Sequence, residues 1–301
     1  MSAERVALYT TMYPGVEPYL RDWHASVLAQ TDTDFDLCVG LDGITSAAVA
    51  EAIGTTPDAR WMPARSPATP AQVRSDAMLQ LVGDYVAIIF VDSDDVLLPT
   101  RVAAARDMLT RADVIGCALE IMDVSGRPVG AQFGPPTGSA SAALLPRWNI
   151  FGLSNTAYRT SALRGCLPVP DDCVLVDWLL ATRAWANGAR LAFDATPHMR
   201  YRQYDANVAP MLQPFSGPQV MVATSRVLGH YRCMLDEPWR LGQRERAALE
   251  VERRRVSTFD AAMRQDPRRL DLYVTALNRL PAMHVWWWQV ANPDLEQVWS
   301  N

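Results

Sequence analysis

The chain reads as an α/β fold: a mostly parallel sheet flanked by helices, with a helical extension at the C-terminus. Three observations predict this. Strand-like and helix-like segments alternate through the first half of the chain. Residues 85–91 form one continuous apolar run rich in β-branched and aromatic side chains, as a strand buried on both faces requires. Beyond about residue 209 the strand signals stop and long helical patterns take over. The 301 residues suffice for one large domain or two modest ones, and a hydrophobic share of 49% is an ordinary supply of core.

Residues 6–10 form a first strand, followed by the Tyr13-Pro14-Gly15 turn. Across 16–30, apolar side chains recur at Val16, Leu20, Trp23, Val27 and Leu28, a helical stripe. Residues 35–41 are a second strand, ended by Asp42-Gly43; a short helix at 46–53 and an extended piece at 60–62 follow. Pro70 suits the first turn of a helix over 70–82, Gly83-Asp84 closes it, and the buried strand 85–91 comes next. A helix opens at 99–105. Residues 113–123 are another strand, turned by Ser125-Gly126 into 128–131. The stretch 132–148 is rich in Gly, Pro, Ser and Ala and reads as a loop. A helix over 174–187 stops at Gly188, and 190–193 and 198–202 are short strands. Residues 211–218 are loop-like, and 218–235, 242–264 and 267–278 are helical. This change of character divides the chain into 1–215 and 216–301.

Composition removes several kinds of chemistry. The chain has no lysine, so all 28 basic residues are arginine, and no P-loop lysine, Schiff-base lysine or lysine acid exists. A net charge of −5 gives no chain-wide basic field for nucleic acid. Cys38, Cys117, Cys166, Cys173 and Cys233 contain no Cys-x-x-Cys pair, and the histidines no His-x-His spacing, so a zinc site is not indicated. Free thiols in a reducing compartment are the expectation. The N-terminus lacks the apolar core of a signal peptide, and no apolar run approaches the ~20 residues that span a bilayer. The expected location is the cytoplasm.

The sharpest chemical signal is Asp92-Ser93-Asp94-Asp95, directly after the buried strand. In open α/β sheets ligands bind at the carboxyl ends of strands. Crowded carboxylates repel one another unless a cation neutralises them, and a hard divalent ion such as Mg²⁺ or Mn²⁺ then takes phosphate oxygens as further ligands. One aspartate would serve as a cap for the next helix; three exceed that need. Such a cluster suits sugar transfer from a nucleoside diphosphate. It also suits phosphoryl transfer, because a hydrophobic strand followed by Asp92-x-Asp94-Asp95 resembles the first motif of haloacid-dehalogenase-like phosphatases. Those enzymes need a lysine, which this chain lacks, so that reading stands second.

An ordered set of segments over residues 5–208 resembles the family 2 glycosyltransferases of GT-A fold. The set runs from the strand and turn at 6–13, through 26–31 and 35–43, to Arg74-Ser75-Asp76 and Gly83-Asp84-Tyr85 before Asp92-Ser93-Asp94-Asp95. It continues with Gly152 to Thr156, Val176-Asp177-Trp178, and Tyr201-Arg202-Gln203 with Asn207. The resemblance implies a nucleotide-sugar donor and a saccharide or glycan-precursor acceptor. It implies that Asp42 accepts a hydrogen bond from the base, usually uracil or thymine, and that Thr11 and Tyr13 contact the nucleoside. Arg74 would offer its planar fork to nucleotide or phosphate oxygens. Asp92 and Ser93 fall among the nucleotide-binding positions, and Asp92 and Asp94 among those for ribose and metal. Asp177 is implied as the general base of an inverting displacement, with Asp171 and Asp172 as fallbacks. The chain departs from the pattern at Val176, often Glu in the family, at Asp76, usually Asn, and at Tyr204, often a histidine that binds metal or phosphate.

Of the remaining features, the Trp286-Trp287-Trp288 run suits packing of the C-terminal helices better than contact with a membrane surface, since no basic amphipathic stretch accompanies it. Residues 244–255 read as a solvated, charged helix face. His198 falls near the expected site, within reach of phosphate. The loops at 132–148 and 211–218 are the expected approach for the acceptor. A nucleotide-sugar-binding protein without turnover is the remaining alternative.

Overall fold

The computed structural model describes residues 5–135, 141–204, 207–236, 239, 241–283 and 285–300. The chain opens with β1 (Val6–Met12), buried at every position, then a single 3-10 turn that runs into α1 (Leu20–Leu28). β2 (Asp36–Leu41), α2 (Ser46–Ile53) and β3 (Arg60–Pro63) follow. α3 (Pro70–Asp84) starts on a capping box, in which Thr69 accepts from the Gln72 amide and Gln72 reaches back. β4 (Ala87–Phe90) is wholly buried; β5 (Val96–Leu97) and α4 (Arg101–Leu109) come after the acidic stretch. β6 (Val114–Met122) and β7 (Pro128–Phe133) form a hairpin, followed by the short α5 (Ser141–Leu144). β8 (Thr156–Arg159), α6 (Thr160–Arg164), α7 (Val176–Ala186) and β9 (Leu191–Arg202) complete the α/β part. α8 (Gly217–Leu235), α9 (Gln243–Gln265), α10 (Pro267–Leu277) and the terminal α11 (Glu296–Trp299) form the helical extension.

Among the described residues the nine strands make one sheet in the order β3-β2-β1-β4-β8-β6-β9-β5, with β7 also on β6. β1 pairs in parallel with β2 and β4, and β2 with β3, so their carboxyl ends share one rim. β8 runs antiparallel between β4 and β6, which returns β6 and its parallel partner β9 to the first direction. The sheet is therefore mixed but mostly parallel. Its apolar core continues without a break from β1 through α8, α9 and α10 to Trp286, Trp287 and Trp288. All five cysteines are buried and none is in a disulfide. Among the described residues no helix is long and apolar enough to cross a membrane.

The structure corrects the sequence reading in three places. The pieces expected at 190–193 and 198–202 are one strand, β9, held along β6; register shifts around Ala118 absorb the irregular middle that had looked like a break. The stretch 132–148 is not a plain loop, because β7 continues to Phe133 and α5 lies within it; residues 136–140 lie outside the described residues. β5, β8 and α6 are two to five residues long, too short for a periodic pattern to announce them.

Candidate active site

A cavity of ≈ 670 Å³ opens at the rim where β1, β2 and β4 end. Its wall includes Thr11 and Tyr13 after β1, Asp42 after β2, Arg74 on α3, Asp92 and Asp94 after β4, and Asp177 on α7. Residues far apart in the chain meet here because parallel strands bring their carboxyl ends to one side, where the connections to helices begin. Ser93 is the exception. It is buried, its hydroxyl donates to the Thr11 carbonyl at 2.8 Å, and it does not line the cavity; it ties the end of β4 to β1.

The acidic stretch is held from several sides. The Asp92 amide donates to Ser154 Oγ at 3.3 Å, and the Ser154 hydroxyl donates to the Asp95 carboxylate. The Arg202 amide donates to Asp95 Oδ1 at 2.8 Å, and the buried Arg202 guanidinium donates to the Asp94 carbonyl at 2.8 Å. Asp95 thus faces inward and braces the stretch, while Asp92 and Asp94 face the cavity. Their electrostatics follow from crowding. Burial first, and then Asp94, push the Asp92 carboxyl up to about 7, against the opposing pull of Arg74. Burial also raises Asp94, although the Tyr204 hydroxyl donates to its Oδ2 at 2.6 Å. Tyr204, standing where a histidine was the family pattern, is therefore a hydrogen-bond donor to the acidic cluster. Burial and Asp94 push the nearby Tyr13 phenol up to about 12.

Asp177 occupies the first turn of α7, where the helix dipole favours a carboxylate. Burial nevertheless raises it to about 6, opposed by the Trp178 backbone amide, Arg74 and the Asn149 side chain. Asn149 Nδ2 donates to Asp177 Oδ2 at 2.8 Å, and Asn149 Oδ1 accepts from the Phe151 amide at 2.9 Å. The fallback residues Asp171 and Asp172 also line the cavity but are exposed, and Asp172 is ion-paired with Arg232. His198 does not face the cavity: its ring nitrogens engage Thr100 at 2.8 Å and Asp194 at 3.0 Å.

Sequence reasoning missed three residues in and behind the cavity wall. Asn149 carries no motif and follows a stretch that had read as a loop. Trp286 and Trp287 line the cavity from the far end of the chain and are buried, so they do not form a membrane-facing belt. The tryptophan run was conspicuous in the sequence; nothing in it said where the run would dock.

No family model and no curated protein matches the sequence. Solved structures do match the fold. TarS 1-349 from S. aureus superposes with a TM-score of 0.59 at 16% identity, over 91% of this chain and 79% of that one. The same fragment solved with UDP-GlcNAc gives a TM-score of 0.56 at 15% identity, over 89% and 76%. The mannosyltransferase PcManGT from Pyrobaculum calidifontis, solved with GDP-Man and Mn²⁺, gives 0.58 at 13% identity, over 92% and 76%. The chain has the α/β GT-A fold of these proteins, a mostly parallel sheet flanked by helices, with a helical C-terminal extension.

Proposed function

We propose that the chain is an inverting, metal-dependent glycosyltransferase of the cytoplasm. It moves a sugar from a UDP- or dTDP-linked donor to a hydroxyl of a saccharide or glycan-precursor acceptor, in the assembly of a surface polysaccharide or related glycan. One observation carries this reading: Asp92 and Asp94 at the end of β4, Arg74 on α3 and Asp177 at the start of α7 open into a single cavity. The fold shared with TarS and PcManGT supports it, since those proteins were solved with UDP-GlcNAc and with GDP-Man and Mn²⁺.

In this reading Asp42 accepts a hydrogen bond from the base, Thr11 and Tyr13 contact the nucleoside, and Arg74 grips diphosphate oxygens. Asp92 contacts the ribose, and Ser93 fixes the strand end beneath it. The metal fits the residues present. Two buried, cavity-facing carboxylates whose proton affinity is raised, Asp92 by burial and by Asp94 and Asp94 by burial, suit a hard cation with two protein oxygens and the rest from phosphate and water. Among the described residues no group of three or more His, Cys, Asp or Glu side chains comes together as a metal site, so donor oxygens complete the set. Held by Asp92 and Asp94, Mg²⁺ or Mn²⁺ would supply positive charge against the departing diphosphate. Asp177 takes the acceptor hydroxyl proton; the oxygen bonds to the anomeric carbon, and the bond to the diphosphate breaks with its electron pair on the departing oxygen. A single displacement from the opposite face inverts that carbon. Because Asp177 holds its proton up to about 6, it is a stronger base than an ordinary carboxylate.

The test is a panel of UDP-, dTDP- and GDP-sugars with and without Mn²⁺, read by melting temperature and by release of nucleoside diphosphate. A UDP- or dTDP-sugar with Mn²⁺ is expected to raise the melting temperature and to be turned over. Binding without turnover would establish the non-catalytic reading, which the hydrogen bond from Tyr204 to Asp94 favours by occupying a carboxylate oxygen. Phosphate release from simple phosphomonoesters would establish the phosphatase.

A further inference from the structure

The C-terminal extension reaches the active site through a chain of contacts that ends on Asp177. Asn149 is fully buried and is paired in an antiparallel bridge with Trp286. The Trp286 ring packs 4.0 Å, centroid to centroid, from Phe133 and lies over Gly152, where an added Cβ would stand 2.4 Å from it. The segment that carries Trp286 is held open in a costly conformation: Trp287 has φ 72° and Ala291 φ 44°, a region that bulky residues avoid. It persists because it is pinned. Tyr273 on α10 donates to the Gln289 carbonyl at 2.9 Å and accepts from the Asn292 amide at 2.8 Å, and Arg255 on α9 donates to the Ala291 carbonyl. Glu252, buried on α9, joins the two sides: it accepts from Arg255 at 2.6 Å and from Arg147 at 2.8 and 2.9 Å, two residues before Asn149.

From this geometry we infer that Asn149 is a positioning residue for Asp177, and that Glu252 and the segment at 285–292 fix Asn149 in place. This rests on the proposed role of Asp177 and gives the helical extension a part in the reaction. An amide has two ends, and Asn149 uses both: its oxygen is taken by the Phe151 amide, so only its NH₂ can face the carboxylate. The flip that would turn a carbonyl against Asp177 is thereby excluded. The carboxylate is in turn oriented through its Oδ2. The other charged or titratable groups acting on Asp177 are Arg74 on α3, Asp92 after β4, Tyr158 on β8 and Cys173 before α7. Burial raises Tyr158 well above its usual range, and the contact with Cys233 together with burial raises Cys173 likewise, so of these groups Asp92, raised to about 7, is the one that titrates near Asp177.

The experiment compares wild type, N149A, N149D, E252Q and D177N in the full-length chain. One readout is the ¹³C NMR titration of the Asp177 carboxyl, identified by its loss in D177N. The other is nucleoside diphosphate release from UDP-GlcNAc and GDP-mannose with water as acceptor, alongside donor affinity by calorimetry. Loss of the amide donor should raise the Asp177 titration by about half a unit to one unit in N149A, and by more in N149D, which sets a second carboxylate beside it. Turnover should fall about 10- to 100-fold in N149A with donor affinity unchanged, and more weakly in the remote E252Q. An Asp177 titration identical to wild type in folded N149A, N149D and E252Q overturns the inference. Should N149A or N149D not fold, E252Q decides alone. Wild type that neither binds nor turns over any member of the UDP-, dTDP- and GDP-sugar panel sinks the proposed function, whereas the carboxyl titration still judges Asn149.

Discussion

At the scale of single residues, the proposed transferase turns on Asp177 as its base. Replacing it with Asn keeps the shape and the α7 start but removes the proton acceptor, so transfer should fall by about 10²- to 10⁴-fold while donor binding persists; a full-rate D177N would remove Asp177 from the mechanism. Its titration sets a pH limb. The base must be ionised, and its carboxyl is raised from 3.8 to about 6, so turnover should be nearly full above pH 7 and decline as pH falls through about 6. A profile with its acid limb near 4 would show that the folded protein does not hold Asp177 in this environment. The residue was legible in the sequence only through its neighbours Val176 and Trp178. Its raised proton affinity was not, because that depends on burial in the folded chain.

At the scale of elements, caps and close contacts place the site residues. α3 carries Arg74 in the second turn of a helix whose start depends on Thr69, and the Thr69 hydroxyl also donates to the Asp171 carbonyl at 2.8 Å. Thr69→Ala should cost about 1 kcal/mol of stability, measured by denaturant unfolding, and should weaken donor binding by loosening the first turn. The close contact at Gly152, just before the 3-10 turn that leads into β8, is tighter. Any Cβ there meets the Trp286 ring at 2.4 Å, so Gly152→Ala should destabilise the protein by about 1–3 kcal/mol. A melting curve unchanged by that substitution would mean that the Trp286 segment is free to move aside. Helices with long stripes, such as α8, α9 and α10, were readable from the sequence to within a residue or two. The short β5 and β8 were not, since two to four residues carry no period of their own.

At the scale of the whole molecule, the acidic rim sets stability against function. In the ligand-free chain Asp92 is raised from 3.8 to about 7, so between those values the folded state keeps a proton that the unfolded chain has released. Stability must then fall as pH rises from about 4 to 7 and level off above. The sign follows from the native state binding more protons than the unfolded one. Asp92→Asn should flatten that dependence and raise the melting temperature at pH 8, by about 2 °C per kcal/mol of repulsion relieved, while abolishing cation-assisted donor binding. A melting temperature for D92N at or below wild type would show that the carboxylates are not in conflict. Mn²⁺ with a nucleotide sugar should recover the loss in wild type and not in D92N.

Taken alone, the amino-acid order determined the strand–helix alternation, the buried strand that ends in Asp92-Ser93-Asp94-Asp95, and the exclusion of lysine chemistry. These are local matters: apolar period, caps, turn residues and the plain presence or absence of a side chain. Tertiary structure alone decided that Ser93 turns inward and that Tyr204 stands on Asp94. It also decided that His198 is occupied elsewhere, and that a tryptophan run near the C-terminus meets Asn149 behind Asp177. Those facts depend on which distant segments share a wall, and packing settles that through shape and burial, which no spacing along the chain encodes.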